Sequence, residues 1–207
     1  MKKLLLLTTF FISLFSLFAE KIKFVVGSQS SLVESGDELY IGYGSKVSDI
    51  IFENENPNIK KIVIEGAAFI HDYSFISKCK NLEILVLNDV KLDTLDFLES
   101  CKNLRILALD SVSFNQFTDF RKLESLEYLG MTNCNLSNFN ILTEHASSLR
   151  YINLTHNKIV KFPVLNSKDK AIYFISESDV LKTKDKRFVF FFFLLQRLPK
   201  EYACYLR

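Results

Sequence analysis

Histidine and cysteine are the side chains of this 207-residue chain best suited to metal or nucleophilic chemistry, and their spacing supports neither. The histidines are His71, His145 and His156, and no two have the helical spacing that a zinc-binding pair needs. No two cysteines form a C-x-x-C motif, and the chain has no nucleophile or phosphate-loop motif. His71-Asp72 fits a turn better than a catalytic dyad. We therefore expect no enzymatic activity, no metal and no other cofactor.

A short apolar motif recurs along the middle of the chain. Residues 81–87 read NLEILVL, and residues 103–109 read NLRILAL, 22 positions later. Units in the same frame start at 59, 82, 104, 126 and 149, and each has apolar residues at its positions one, four and six. A short strand with this pattern directs alternate side chains into a shared core. Repetition at this period predicts a solenoid.

The frame resembles the leucine-rich repeat family, whose motif is L-x-x-L-x-L-x-x-N/C-x-L, from residue 59 to about residue 165. The regular period is similar to the short repeats of bacterial internalins. Segment 75–82, with Phe75, Cys79 and Leu82, resembles a signature of BspA-like surface proteins instead. Either resemblance implies an α/β solenoid with a parallel sheet on its concave face and 3₁₀ or short helical segments on its convex face. Either also implies binding of other macromolecules.

Position nine of each unit and the segment after each strand can also be compared with the family motif. Position nine, an asparagine or cysteine in the family, is Cys134 and Asn157 in the last two units, but Ala67, Val90 and Val112 in the first three. After each strand, apolar residues recur at every third position, a spacing that suits a 3₁₀ turn or short helix folded back onto the strand. These residues are Leu92, Leu95, Leu98 and Cys101; Phe114, Phe117, Phe120 and Leu123; Leu136, Phe139 and Leu142; and Ile159, Phe162 and Leu165.

The cysteines of the repeats are expected to be buried. Cys79 and Cys101 occupy the same position in successive units, so they should lie about 4.8 Å apart, within reach of a disulfide. That position belongs to the core, however, where a thiol packs as a small hydrophobic group. We favour two thiols over a bond.

The N-terminus has the pattern of a secretory signal peptide. Lys2 and Lys3 precede the apolar stretch 4–18, and the small residue Ala19 follows. About 15 apolar residues are too few to cross a hydrocarbon core, which needs roughly 20. We expect residues 1–19 to be removed after Ala19, and the chain to be exported to the periplasm, the cell surface or the medium.

Charge excludes one class of partner. The chain has 26 basic and 24 acidic residues, and loss of residues 1–19 would remove two lysines and leave 24 of each. Nucleic-acid binding needs a basic stripe, which the sequence lacks. No nucleic-acid partner is expected.

The two ends of the chain are predicted to cover the solenoid, because a terminal repeat otherwise exposes its apolar edge. Residues 20–58 are interpreted as an N-terminal cap, with a strand at 21–26 and a short helix at 48–53. Residues 166–207 are interpreted as a C-terminal cap or tail, beginning with a sixth strand at 171–175. Its segment Phe188 to Leu195 is too short to span a membrane, and we favour a capping strand over an interfacial anchor there.

The predicted binding surface follows from strand alternation. Because positions four and six face the core, positions three, five and seven face the concave side. An apolar and aromatic patch with polar borders is typical of protein-binding surfaces, although strand propensity alone also favours Val, Ile and Tyr there. The predicted contacts, with the two tyrosines as anchors, are Lys61, Glu65, Ile84, Val86, Asn88, Ile106, Asp110, Tyr128, Thr132, Tyr151, Asn153 and Thr155.

Two hypotheses for function follow. The first is an exported leucine-rich repeat protein that binds another protein through its concave face, in adhesion or host interaction. The second is an envelope scaffold protein that associates with a membrane or a neighbouring chain through its Phe-rich C-terminal tail.

Overall fold

The strands of the repeats lie side by side in one parallel sheet, as the leucine frame predicts. A computed structural model of the chain describes residues 21–34, 36–52, 58–113, 122–137 and 148–158, together with the backbone of 173–175. The strands are β1 Lys21–Val26, β2 Gln29–Glu34, β3 Glu38–Ile41, β4 Asp49–Phe52, β5 Lys61–Glu65, β6 Ile84–Asn88, β7 Ile106–Asp110, β8 Tyr128–Thr132, β9 Tyr151–Asn153 and β10 Tyr173–Ile175. Two 3₁₀ helices, η1 Ser74–Lys78 and η2 Asp96–Ser100, complete the described elements.

Seven strands form the sheet of the solenoid, in the order β10-β9-β8-β7-β6-β5-β3. Neighbouring strands pair in parallel, and each pairs at equal motif positions, so that Lys61 lies beside Ile84 and Ile84 beside Ile106. The sixth predicted strand is present as β10, which pairs with β9. The sheet is therefore a regular ladder whose register the repeat period sets.

Positions one, four and six form the core of this ladder. All fifteen side chains at these positions are at most 2% exposed. Each fully buried aliphatic side chain stabilises the fold by about 1.5–3 kcal/mol relative to exposure. They are Ile59, Leu82, Leu104, Leu126 and Leu149; Ile62, Leu85, Leu107, Leu129 and Ile152; and Ile64, Leu87, Leu109, Met131 and Leu154.

The connections after the first two repeat strands contain the 3₁₀ turns that triplet spacing predicts. Leu98 lies in η2, and Leu95 and Cys101 flank it. All three side chains are fully buried. The phenylalanines predicted to continue this layer, at 114, 117 and 120, lie outside the described residues.

The N-terminal segment adds a second, antiparallel sheet in the order β2-β1-β4. The predicted strand at 21–26 is present, but the predicted helix at 48–53 is wrong, because residues 49–52 form β4, paired with β1. β-Branched and aromatic residues favour a strand, and in β4 Ile50 and Phe52 are buried whereas Ile51 is exposed. How far the two caps extend stays a prediction.

Two contacts join this small sheet to the first repeat. The Phe52 ring packs against Phe75 of η1 with centroids 5.7 Å apart, and Lys78 Nζ donates a hydrogen bond of 2.9 Å to the Phe52 carbonyl. Across the described ranges, no helix has the length and apolar character needed to cross a bilayer.

Charge alternates down position two of the repeats, through Lys60, Glu83, Arg105, Glu127 and Arg150. Arg105 and Glu127 form a two-point pair, with Nε–Oε1 3.1 Å and Nη2–Oε2 3.3 Å, and Lys60 Nζ lies 3.9 Å from Glu83 Oε1. Exposed pairs of this kind contribute about 0–1 kcal/mol each, so they support the register without setting it.

The cysteines of the repeats are buried thiols. Cys79 and Cys101 are both fully buried, and Cys101 Sγ makes weak contacts with the carbonyls of Ile76 and Phe97 at 3.8 and 3.9 Å. Desolvation raises the pKa of Cys101, and separately that of Cys134, from the ordinary value of 9.0 to about 11.

We expect replacement of Leu87 by alanine to lower the free energy of unfolding by about 2–5 kcal/mol, because it opens a cavity between adjacent repeats. Replacement of Leu32, which is 56% exposed on β2, should change it by no more than about 0.5 kcal/mol. Urea denaturation followed by circular dichroism measures both. Equal losses would contradict the assignment of Leu87 to the core.

The raised thiol pKa values predict alkaline destabilisation. The unfolded chain releases these protons near pH 9 and the native chain only near pH 11, so stability is fully present below pH 9 and is lost as the pH rises toward 11. Urea denaturation at intervals from pH 8 to pH 11 should give a flatter profile for the Cys101→Ala/Cys134→Ala variant than for the parent. Parallel profiles would show that these thiols do not cause the loss.

Candidate functional site

The face of the sheet opposite the core carries three columns of side chains, one residue per strand in each column. Strand pairing defines the columns. The first column contains the predicted contacts Lys61, Ile84, Ile106, Tyr128 and Tyr151, and the third contains Glu65, Asn88, Asp110 and Thr132. Val86 lies between Val63 and Ala108 in the middle column. The register thus brings the predicted contacts together on a single surface, which we call the concave face.

This face divides into a buried part and an open part. Ile106, Ala108 and Tyr128 form a separate buried cluster, against which Ile84, Val86 and Tyr151 pack while remaining partly exposed. At the N-terminal end, Lys61 and Glu65 are half-buried. The accessible surface of the concave face includes Lys61 and Glu65 on β5 and Ile84 and Val86 on β6, and we call this region beside β3 the open part.

The expectation that Tyr128 presents its ring to a partner disagrees with the structure. Its side chain is 0% exposed, and its ring lies along its own strand over Gly130. A Cβ atom at residue 130 would meet Tyr128 Cε1 and the hydroxyl oxygen at 3.1 Å. The missing side chain at Gly130 thus gives the ring room to lie flat, and Tyr128 belongs to the packing of the face.

Three other predicted contacts are also buried. Ile106 is packed in the same cluster as Tyr128. Asn153 Oδ1 accepts a hydrogen bond of 3.0 Å from the Thr155 backbone N–H, so the Asn153 side chain holds the end of β9, and both residues are buried. The predicted contacts that keep exposed surface are Lys61, Glu65, Ile84, Val86, Asn88, Asp110, Thr132 and Tyr151.

Sequence reasoning missed two tyrosines at the open end. Tyr40 lies on β3 beside Val63, which adds it to the middle column, and Tyr43 lies over Gly66 at the end of β5. They are 64% and 62% exposed. The signal was the alternation of Leu39, Tyr40 and Ile41, in which the two buried aliphatic residues direct Tyr40 to the opposite face.

The turn leaving each strand has a fixed shape. The residue after each of the first four repeat strands has a positive φ, from 51° to 59°, and its N–H donates to a carbonyl of the next repeat. Glycine, asparagine and aspartate adopt this left-handed conformation most readily. In order these residues are Gly66, Asp89, Ser111 and Asn133, and His156 follows β9 with a φ of 58°.

Position nine is filled as the family motif requires only near the C-terminal end. The Asn157 amide donates to the carbonyls of Met131, Leu154 and Thr155, and its Oδ1 accepts from the backbone N–H of Cys134 and of Leu136 at 3.1 and 3.0 Å. This side chain therefore satisfies buried backbone groups of two successive repeats.

Within the described ranges, no group of three or more His, Cys, Asp or Glu side chains is arranged to hold a metal ion. His71 is exposed in the turn before η1, and His145 lies outside those ranges.

The fold that these elements define is a leucine-rich repeat solenoid. One similar solved structure is an internalin (inlF) from Listeria monocytogenes str. 4b F2365, with 24% identity, a TM-score of 0.52, and coverage of 63% of this chain and 39% of that chain. Another is an internalin C2 (inlC2) from the same organism, with 18% identity, a TM-score of 0.48, and coverage of 59% of this chain and 64% of that chain.

The chain thus spans less than two thirds of the length of either internalin. No protein-family model and no curated protein matches the sequence. The likeness to the inlF internalin, at 24% identity, shows a shared fold and leaves the partner open.

The buried position of Tyr128 predicts a structural role. We expect Tyr128→Ala to lower the free energy of unfolding by about 3–5 kcal/mol, as for other buried aromatic residues. The matched variant Tyr40→Ala, at a largely exposed tyrosine of the same face, should change it by less than about 1 kcal/mol. Urea denaturation measures both, and an unchanged midpoint for Tyr128→Ala would contradict its burial.

Proposed function

We propose that this chain is an exported protein that binds another protein through the open part of its concave face. The observation that carries the proposal is the partly exposed apolar pair Ile84 and Val86, bordered by the charged residues Lys61 and Glu65. An apolar centre with a polar border is the usual anatomy of a protein interface.

Rigidity favours this use of the face. Each contact residue stands on a strand hydrogen-bonded on both sides, above a core that is fully buried. A partner would therefore meet side chains that lose little conformational freedom on binding. The role needs no chemistry from the chain itself.

Export rests on the N-terminal pattern of two lysines, an apolar stretch and Ala19, which lies outside the described residues. N-terminal sequencing of the protein recovered from the medium or the cell envelope tests it. A first residue of Glu20 is expected. Recovery with Met1 retained would contradict cleavage.

Site-specific photo-crosslinking in the producing organism, or in its host, tests the binding surface. A photoreactive residue at position 86 should give a protein adduct. The same residue at position 96, which is exposed on η2, should not. Equal adducts at both positions, or none at position 86, would contradict binding through this face.

The adduct then provides the partner for a quantitative measurement. Val86→Lys places a charge in the apolar centre and should weaken binding of that partner at least tenfold, whereas Asp96→Lys should leave it unchanged. Isothermal titration calorimetry with the purified partner measures both affinities, and unchanged affinity for Val86→Lys would exclude this surface.

The second hypothesis, association through the segment Phe188 to Leu195, stays a prediction from sequence, because that segment lies outside the described residues. Deletion of the segment followed by membrane fractionation tests it. A shortened chain that still sediments with the membrane would contradict anchoring there.

A further inference from the structure

Two exposed tyrosines and three carboxylates lie together at the open end of the concave face. The Tyr40 hydroxyl donates a hydrogen bond of 2.8 Å to Glu65 Oε2. The Tyr43 ring occupies the space that a side chain at residue 66 would need, directly after Glu65. Both residues are largely exposed, at 64% and 62%.

The carboxylates come from three successive repeats. Glu65 ends β5, Asp89 follows β6, and Asp110 ends β7, so that adjacent strands bring them to the same edge of the sheet. Desolvation, and then the negative charges of Asp89, Glu65 and Asp110, raise the pKa of Tyr43. We call these five residues the tyrosine–carboxylate surface.

The ion pairs of the described residues do not include these three carboxylates. Some acidic residues elsewhere are paired, as Glu38 is with Lys61 at 3.2 Å and Glu99 with Lys122 at 2.6 Å. Among the residues that the structure describes, no lysine or arginine forms an ion pair with Glu65, Asp89 or Asp110. The surface therefore presents negative charge beside two aromatic faces.

We propose that the tyrosine–carboxylate surface binds a basic segment of the partner protein, with a lysine or arginine side chain lying against a tyrosine ring and its charge against the carboxylates. A cation within about 6 Å of an aromatic ring centre is attracted by the ring, and hydrogen bonds between charged groups are about twice as strong as neutral ones. This inference rests on the proposed function and adds the chemistry of the partner.

The position of the surface suits a protein chain better than an isolated cation. Tyr40, Val63 and Val86 are neighbours in the middle column. The tyrosine–carboxylate surface therefore adjoins the partly exposed apolar centre through Tyr40. A segment with basic and apolar residues would satisfy both parts of this surface. Charge complementarity also selects against acidic partners.

Fluorescence anisotropy with labelled ten-residue peptides tests the inference on the full chain. Deca-arginine should bind, deca-glutamate should not, and binding should weaken as salt rises from 50 to 500 mM. Tyr43→Ala and Asp89→Asn should each weaken deca-arginine binding about two- to fivefold, whereas Tyr43→Phe, which keeps the ring, should retain it.

Two matched variants control for general effects. Phe69→Ala removes an exposed aromatic residue elsewhere, and Asp96→Asn removes one negative charge on the convex side. Both should bind deca-arginine as the parent does. All the substituted positions are exposed, and asparagine tolerates the positive φ of residue 89, so that thermal midpoints should stay unchanged.

Absence of deca-arginine binding, or equal weakening by the test and control variants, would overturn the basic-partner inference. Crosslinking at position 86 would still report on the concave face, because it does not depend on the charge of the partner. A retained adduct at position 86 together with no peptide binding therefore refutes the partner chemistry alone. Loss of the adduct refutes the binding face itself.

Discussion

Burial of the apolar residues at positions four and six against the same positions of the next repeat is the interaction on which the molecule depends. A single strand such as β6 cannot shield Leu85 and Leu87 from water by itself. These two side chains are buried because β5 and β7 lie on either side of β6. Since each repeat contributes the same spacing, the register is fixed by the core. The side chains of the opposite face are thereby aligned in columns.

The two ends of the concave face use that arrangement differently. Toward β8, Gly130 lets the Tyr128 ring lie along the sheet, and the face becomes a second apolar layer beside Ile106. Toward β3, Tyr40 and Tyr43 stand in solvent beside Glu65. Tyrosine is thus packed against the sheet at β8 and exposed near β3, and the difference lies in the neighbours of each ring.

The sequence predicts the ladder of this fold far better than its exposed surface. The leucine frame correctly places β5 to β10 and their register, because period-two burial is decided by residues within each unit. The predicted helix near β4 is wrong because the short apolar run of Ile50, Ile51 and Phe52 has no helical periodicity and its β-branched and aromatic residues favour a strand. The burial of Tyr128 depends on Gly130 and on packing across strands, which motif positions do not encode. The place of Tyr43 depends on a turn outside the repeats.

The alternating charges at position two set a condition on how such a solenoid can grow. Arg105 faces Glu127, and Lys60 lies near Glu83, so neighbouring units carry opposite signs. Insertion or deletion of one unit would bring like charges side by side, whereas a change of two units would keep the alternation. At about 0–1 kcal/mol per pair, this gives duplication of repeat pairs a small energetic advantage over duplication of single repeats.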